Sequence, residues 1–408
     1  MATSSRRIHA VVGLTITLDL MGLGLILPLK PFFAESFGAS AVQVTLLTAC
    51  FALAQMLFAP LWGRASDRFG RRPVILTSIA INACAYLAFA AAETLTALFL
   101  ARIVAGFASA SIPAAQAVIS DTTPAGKRAS GMGIIGAAFG IGFIIGPVLG
   151  GTLAQLDPRA PALVAAALAA VNFLMAARWL PETRPVRAAL PTVTDAAPPQ
   201  TWLPPAFWRL VGLLLMVKAA MALTEQCVGL LIEQTWVTAG PPETIVAQAA
   251  GLTSVVLVAV GLVAVAVQTL VIGRAVTRLG EGTVIAVGAT LSGLAMLTVP
   301  LAVETRSFAL LVVAFGLCAV GTSLLLPATM SALSQTVQTR HVGRAMGTAH
   351  AVSGLGRVVG PVCAGWLFQT AELAPFVLAA ALFLVVPMVA TVRASQPHTH
   401  GPAAQEGV

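Results

Sequence analysis

Long uncharged apolar stretches recur along the chain, and charged residues crowd into the short segments between them. Uncharged runs cover about 42–62, 74–92, 131–154, 161–177, 247–272, 283–303, 308–339 and 373–392, with the last third of 308–339 reading as a loop. Four more runs, about 8–28, 95–119, 207–234 and 345–368, are apolar with isolated charges. Each approaches the roughly 20 apolar residues that carry a helix across a bilayer. The pattern predicts an all-α integral membrane protein of twelve transmembrane helices. A membrane barrel would alternate polar and apolar positions along each strand, and these runs are continuous.

Composition narrows the class. Of 408 residues, 58% are hydrophobic and 9% are charged, where soluble domains carry about 25% charge. A soluble enzyme is excluded. The 36 Gly and 25 Pro follow no G-X-Y period, which excludes a collagen-like chain. The net charge of +8 would suit nucleic acid, but its placement does not. Seventeen Lys and Arg fall in the terminal and even-numbered connections: Arg6, Arg7, Arg64, Arg68, Arg71, Arg72, Lys127, Arg128, Arg178, Arg184, Arg187, Arg209, Arg274, Arg278, Arg340, Arg344 and Arg393. The odd-numbered connections hold three, Lys30, Arg159 and Arg306. By the positive-inside rule both termini are then cytoplasmic. The basic balance reads as topology, with no nucleic-acid partner. Arg6-Arg7 before an apolar run is similar to a signal peptide, but the run contains Asp19 and ends at Pro28 with no small-residue cleavage site, so it reads as the first helix. Five cysteines, Cys50, Cys84, Cys227, Cys318 and Cys363, lie within predicted spans without a CxxC pair and read as packing residues, not metal ligands.

The widest polar gap, 181–205, is rich in Pro and charge and reads as a cytoplasmic linker. It separates a six-helix half at 1–180 from another at 206–392, with 393–408 as a disordered tail. The halves repeat. Gly63-Arg64-Ala65-Ser66-Asp67-Arg68-Phe69-Gly70 matches Gly273-Arg274-Ala275-Val276-Thr277-Arg278-Leu279-Gly280 at an offset of 210. GMGIIGAAFGIGFIIGPVLGG at 131–151 matches AMGTAHAVSGLGRVVGPVCAG at 345–365 at an offset of 214, and Pro113 matches Pro327. Two halves in parallel repeat are a transporter architecture, with the substrate site between them.

A charge at the centre of a spanning helix costs roughly 2.5–3.5 kcal/mol, so each one marks a candidate site. Asp19 lies in helix 1, Arg102 in helix 4, Lys218 and Glu225 in helix 7, and Arg357 in helix 11. Helices 3, 6, 9 and 12 carry none in their cores, so they are expected to face lipid, with helices 1, 4 and 7 facing a wet cavity. Lys218 and Glu225, seven apart, share one helix face about 10 Å apart along the axis. A half-buried carboxylate suits proton carriage, because a change in its surroundings can load and release the proton. Asp19 is the first choice, with Arg102 modulating it and Glu225 second. Lys218, Gln116, Gln226 and Gln55 are expected to line the substrate cavity, together with Asn82, Thr322 and Ser323.

Several segments resemble one family. GRASDRFGRRPV (63–74) looks like the loop 2–3 signature of the major facilitator superfamily. ARIVAGFASASIPAAQAVISD (101–121) resembles its helix 4 motif. GIGFIIGPVLGG (140–151) resembles the helix 5 motif of drug/proton exporters, and LDLMGLGLILP (18–28) is similar to their helix 1 motif. The resemblance spans nearly the whole chain and is strongest to the tetracycline-efflux branch. It implies a proton-coupled exporter of small amphipathic compounds in a bacterial inner membrane, working by alternating access as a monomer and without a cofactor. A proton symporter importing a nutrient is the alternative, disfavoured by the helix 5 motif. The resemblance also implies a cytoplasmic latch at Gly63, Asp67, Arg68, Gly70, Arg71 and Arg72, with Asp121 as a partner for one arginine. Physically, Gly63 and Gly70 would permit tight turns, and Asp67 could cap the next helix or pair with an arginine. Thr277 replaces Asp in the second copy, which weakens it.

In helix 5, Gly142, Gly146, Gly150 and Gly151 make a smooth face for close helix approach, and Pro147 favours a kink. The family implication is a tight seam between the halves. One departure stands out. The tetracycline exporters carry an acid in helix 3 one position before a Tyr; here the Tyr is Tyr86 and the position before it is Ala85. Helix 9 also lacks an acid. The implied mechanism is thereby separated from that branch's named substrate. An enzyme would need a nucleophile–base pair at depth, and no GxSxG, HExxH or GxxxxGK[ST] motif occurs.

Overall fold

The computed structural model describes residues 2–27, 37–109, 111–122, 128–183, 203–237, 241–337 and 342–390. The first half contains α1 (Ala2–Ile26), α2 (Ala41–Phe69), α3 (Arg71–Ala90), α4 (Leu95–Ala108), α5 (Ser111–Thr122), α6 (Arg128–Ala154) and α7 (Ala160–Trp179). The second contains α8 (Pro205–Trp236), α9 (Pro242–Ala266), a π-helical turn at Val267–Val271, α10 (Ile272–Leu279), α11 (Glu281–Leu297), α12 (Val299–Glu304), α13 (Phe308–Gln335), α14 (Val342–Gly354), α15 (Gly356–Thr370) and α16 (Ala374–Ala390). Nine of the described helical stretches are long and apolar enough to cross a membrane, and three shorter apolar helices complete the set expected from the sequence. Span 4 is α4 plus α5, span 8 is α9 through α10, span 9 is α11 plus α12, and span 11 is α14 plus α15. Linker residues 184–202 and tail residues 391–408 lie outside the described residues.

Local chemistry sets the helix ends. Ser40 and Gln43 form a reciprocal capping box at the start of α2. Thr94 and Ser307 cap α4 and α13. Gly70 and Gly280 end α2 and α10 at φ +110° and +76°, a region open to glycine. Two expectations are corrected here. The segment 63–69 is the last part of α2, so only Gly70 makes the turn, and a Cβ at Gly63 would meet nothing. The last third of 308–339 is helical to Gln335, continuing through Pro327, because its polar Thr329 and Ser334 bond back to their own helix and leave the ladder intact.

Within the first half, α1 packs on α6 and α7, α3 on α7 and α4, and α2 on α4. Within the second, α8 packs on α15 and α16, and α11 on α13 and α16. The halves meet along two seams, α6 against α9 and α2 against α15. Phe207, Ile16, Leu20, Phe376 and Phe383 are fully buried between helices. Leu57, Leu100, Leu174, Leu262 and Trp366 point outward, the surface a bilayer would cover. The end of the bundle carrying Gly70, Gly280 and the arginine-rich connections is called the basic end below, and the other the far end.

Candidate functional site

Glycine decides how closely the helices cross. A Cβ at Gly146 would stand 2.7 Å from the Gly24 Cα and 2.9 Å from the Met21 carbonyl oxygen. Gly142 meets Leu20 and Met21, and Gly150 meets Leu25. These three glycines therefore join α6 to α1 inside the first half, not one half to the other as expected. The cause is helical phase: 142, 146 and 150 repeat every four residues and stay on one face. Gly151 points to the adjacent face and meets Ser254 and Ala250 of α9 across the seam. Pro147 lies within α6 with its ring against Gly24. The second half repeats the scheme at the predicted offset. Gly356 and Gly360 meet Leu215, Ala219 and Ala222 of α8, and Gly365 meets Thr45 and Val42 of α2.

Both cross-seam contacts lie toward the far end. A third tie lies there too: Thr48 of α2 donates to Gln226 Oε1 of α8 at 2.7 Å. Gln226 is buried. It joins the halves in this state. Two glycine crossings and one hydrogen bond thus join the halves toward the far end.

A polar cluster lies among α1, α2, α3 and α4. Asp19 is half-buried, and Asn82 Nδ2 donates to its Oδ1 at 3.2 Å. The Tyr86 hydroxyl neighbours Asn82, Asp19 and Arg102. The Tyr86 ring lies against Gly22, one turn beyond Asp19. Arg102 is 4% exposed. Its guanidinium lies 4.6 Å over the Phe51 ring, and its Nε has no hydrogen-bond partner among the described residues. Ala85 is buried with Phe51 and Ala105. Tyr86 of helix 3 is thus a common neighbour of Asp19 and Arg102. Helix 3 does not face lipid alone: it contributes Asn82, expected in the cavity, and with it Tyr86, four residues on along the same face.

The second half places its charges differently. Lys218 is half-buried at the crossing of α8 and α15, with its Cβ against Gly356. Its charged neighbour is Arg357. Glu225 is exposed in a small crevice lined by Leu27, Gln226, Val228, Gly229, Thr253 and Leu257. The two helix 7 charges thus meet different neighbours. Gln55 is half-buried on α2. The side chains of Gln116, Asp67 and His350 lie outside the described residues.

At the basic end, Arg71 Nε lies 3.1 Å from Asp121 Oδ2, and Arg71 Nη1 donates to Ser66 Oγ at 3.0 Å. Arg72 Nη2 donates to the Ala177 carbonyl. Arg68 lies over the Phe69 ring. The α3 start is capped by Glu182, whose carboxylate accepts from the Arg71 and Arg72 backbone N–H groups at 2.9 and 3.2 Å. Gly70 makes room, since a Cβ there would collide with that carboxylate. Glu182 is distant in sequence and inside the supposed linker, so no local pattern announced it. The second half substitutes polarity for charge. Glu281, the counterpart of Arg71, accepts from Ser331 and, at 2.7 Å, from Gln335, the counterpart of Asp121. Thr277 bonds only within its own helix among the described contacts.

Comparison with known proteins fits this architecture. The model of the Major Facilitator Superfamily matches residues 12–232 and 236–407. The chain belongs to the Major Facilitator Superfamily. Within it, the sequence lies with the tetracycline-efflux-like branch. It is 31% identical over 396 residues to tetracycline resistance protein class C of Escherichia coli, covering 94% of this chain and 96% of that one. It is 34% identical over 288 residues to the class B protein of Escherichia coli, 70% of each chain. Multidrug resistance protein 1 of Bacillus subtilis is 34% identical over 168 residues, 40% of this chain and 43% of that one. The crystal structure of the human organic anion transporter MFSD10 (TETRAN) superposes with TM-score 0.68 and 25% identity, covering 95% of this chain and 99% of that one. A bacterial homologue of the lysosomal transporter Spinster, in an inward-facing and occupied conformation, gives TM-score 0.72 at 16% identity over 94% and 95% of the two chains.

Proposed function

We propose that this transporter exports small amphipathic organic compounds in exchange for protons, by rocking its two halves about a central site. The similarity to tetracycline, multidrug and quinolone resistance proteins supports drug efflux. The observation that carries the proton assignment is Asp19: a half-buried carboxylate within a spanning helix, held by Asn82 and sharing the neighbour Tyr86 with the buried Arg102. A proton moving down a 100 mV potential releases about 2.3 kcal/mol. Asp19 takes that proton, and Arg102 modulates the exchange by its charge. Glu225, open to the crevice beside Gln226, is the second carboxylate for coupling. Lys218, Gln55 and Gln116 contribute to the substrate cavity.

The basic end faces the cytoplasm of a bacterial cell, by the distribution of arginine and lysine, and places both termini there. The contacts that join the halves toward the far end support an inward-open state. The Arg71–Asp121 pair and the Glu281–Gln335 contact stay within their own halves and stiffen each one at the latch. The carrier works as a monomer, because the cavity lies between halves of one chain. The decisive measurement is substrate-driven proton movement in vesicles carrying Asp19→Asn. Loss of exchange with substrate binding retained is the expected result; unimpaired exchange overturns the assignment. A strain lacking the gene becomes hypersensitive to toxic compounds under this reading, whereas a growth defect on one carbon source would indicate import.

A further inference from the structure

We infer that Lys218 and Arg357 form a binding site for the negatively charged group of the substrate, so that the preferred cargo is an amphipathic organic anion. The inference rests on the export reading and names its substrate class.

Both residues lie near mid-depth in their spans. Lys218 is 13 residues into α8 (Pro205–Trp236). Arg357 is 15 residues past the start of span 11 at Val342. A cation at that depth is tolerated where it faces water or a counter-charge. The phase of α15 shows which way Arg357 faces. Val359, Cys363 and Trp366 are exposed and form the outer stripe. Gly356 and Gly360 rest on α8, and Gly365 rests on α2. At 100° per residue, Arg357 falls between those two contacts, on the side opposite Val359. It is nevertheless exposed. Its exposure is therefore to the space between the halves and not to lipid.

Lys218 reaches the same place from α8. Gly356 lets α15 touch the backbone of Leu215 and Ala219, which brings Lys218 and Arg357 out of one helix crossing. Among the described residues no carboxylate pairs with either cation. Glu225 is two turns further along α8, in a different crevice. Like charges in a poorly solvated cavity repel, and an anion between them removes the repulsion. The helix tightens for one turn beside Arg357, where the Leu355 N–H donates to the Val352 carbonyl at 3.1 Å.

The repeat shows that the pair is not architectural. Met21 and Gly24 meet Gly142 and Gly146 as Ala219 and Ala222 meet Gly356 and Gly360. By that register Leu20 corresponds to Lys218, and Phe143 to Arg357. The first half makes the same crossing with apolar residues. The opposite change occurs on helix 3, where Ala85 is buried with Phe51 and Ala105 and offers no acid to a cationic cargo.

The test uses the full chain in proteoliposomes with an imposed proton gradient. A panel of amphipathic aromatic compounds is supplied in matched forms, as the carboxylate and as the primary amine of each ring system, with ethidium and a tetracycline added. Uptake and proton release are read together for wild type, Lys218→Gln, Arg357→Gln, Lys218→Arg and Asp19→Asn. The wild type is expected to prefer carboxylates. Each Gln variant should lose about tenfold or more in apparent affinity for them, and Lys218→Arg should retain it. Asp19→Asn should still bind carboxylates but not exchange them. Amines transported as well as carboxylates, or Gln variants with unchanged carboxylate affinity, overturn the anion site while leaving export intact. Transport of ethidium or tetracycline without any carboxylate also overturns it. No proton-linked transport of any compound would refute the export reading itself. Should a Gln variant fold poorly, Lys218→Arg and the wild-type anion preference still decide.

Discussion

Gly146 shows how much one missing side chain does. Its neighbours are backbone atoms of Gly24 and Met21, which cannot rotate away. Gly146→Val should therefore cost at least about 1–3 kcal/mol through overpacking, visible as a lower unfolding temperature in detergent. Gly63→Ala, with open space around it, should leave that temperature unchanged or raise it slightly. Tyr86 allows a finer test. Tyr86→Phe keeps the ring against Gly22 and removes only the hydroxyl that neighbours Asn82, Asp19 and Arg102. The expected outcome is an altered pH dependence of proton exchange with nearly normal thermal stability. At this scale the sequence was informative about charges and poor about neutral partners. Asp19 and Arg102 are conspicuous because charge is costly in a membrane. Asn82 is legible as a polar residue in an apolar span, whereas Tyr86 carries no such cost and takes its place from the turn of helix 3 toward Gly22.

Helix ends and crossings follow a different logic. Glu182 caps α3 with two charge-assisted hydrogen bonds. Glu182→Gln should cost about 1 kcal/mol, measured by thermal unfolding, and Glu182→Ala somewhat more. Asp121→Asn should cost less than about 1 kcal/mol, because the ion pair with Arg71 is partly exposed. Its thermal effect should shrink further in high salt. The positions of nearly all helices were legible from hydrophobic runs, since lipid demands apolar side chains over a fixed length. The breaks in spans 4 and 11, the π turn at Val267–Val271 and the continuation of α13 through Pro327 were not. Those depend on which backbone groups find substitutes among neighbouring helices, a tertiary matter.

For the whole molecule, the internal repeat was the most reliable sign. It predicted the two-half architecture and the correspondence of Gly151 with Gly365, and both hold in the glycine contacts. It misplaced the helix 5 glycines because a repeat says which positions are equivalent, not what each one faces. The contacts toward the far end lead to a distance test. With the native cysteines replaced, Thr48→Cys and Gln226→Cys should be joined by a short thiol crosslinker, and the joined protein should lose transport until the link is cleaved. Addition of a bound substrate that opens this end should slow the crosslinking.

The unequal placement of charge between the halves also has an electrical consequence. Asp19 belongs to the first half, while Lys218 and Arg357 belong to the second, where the matching crossing of the first half is apolar. A carrier that takes one proton inward on the first and sends one monoanion outward on the second moves two elementary charges per cycle in the same direction. Each is worth about 2.3 kcal/mol per 100 mV, so the potential alone would supply about 4.6 kcal/mol. One-for-one exchange of a proton for a monocation would move no net charge. Turnover should then generate a measurable current, and collapsing the membrane potential should slow export more than collapsing the pH gradient alone.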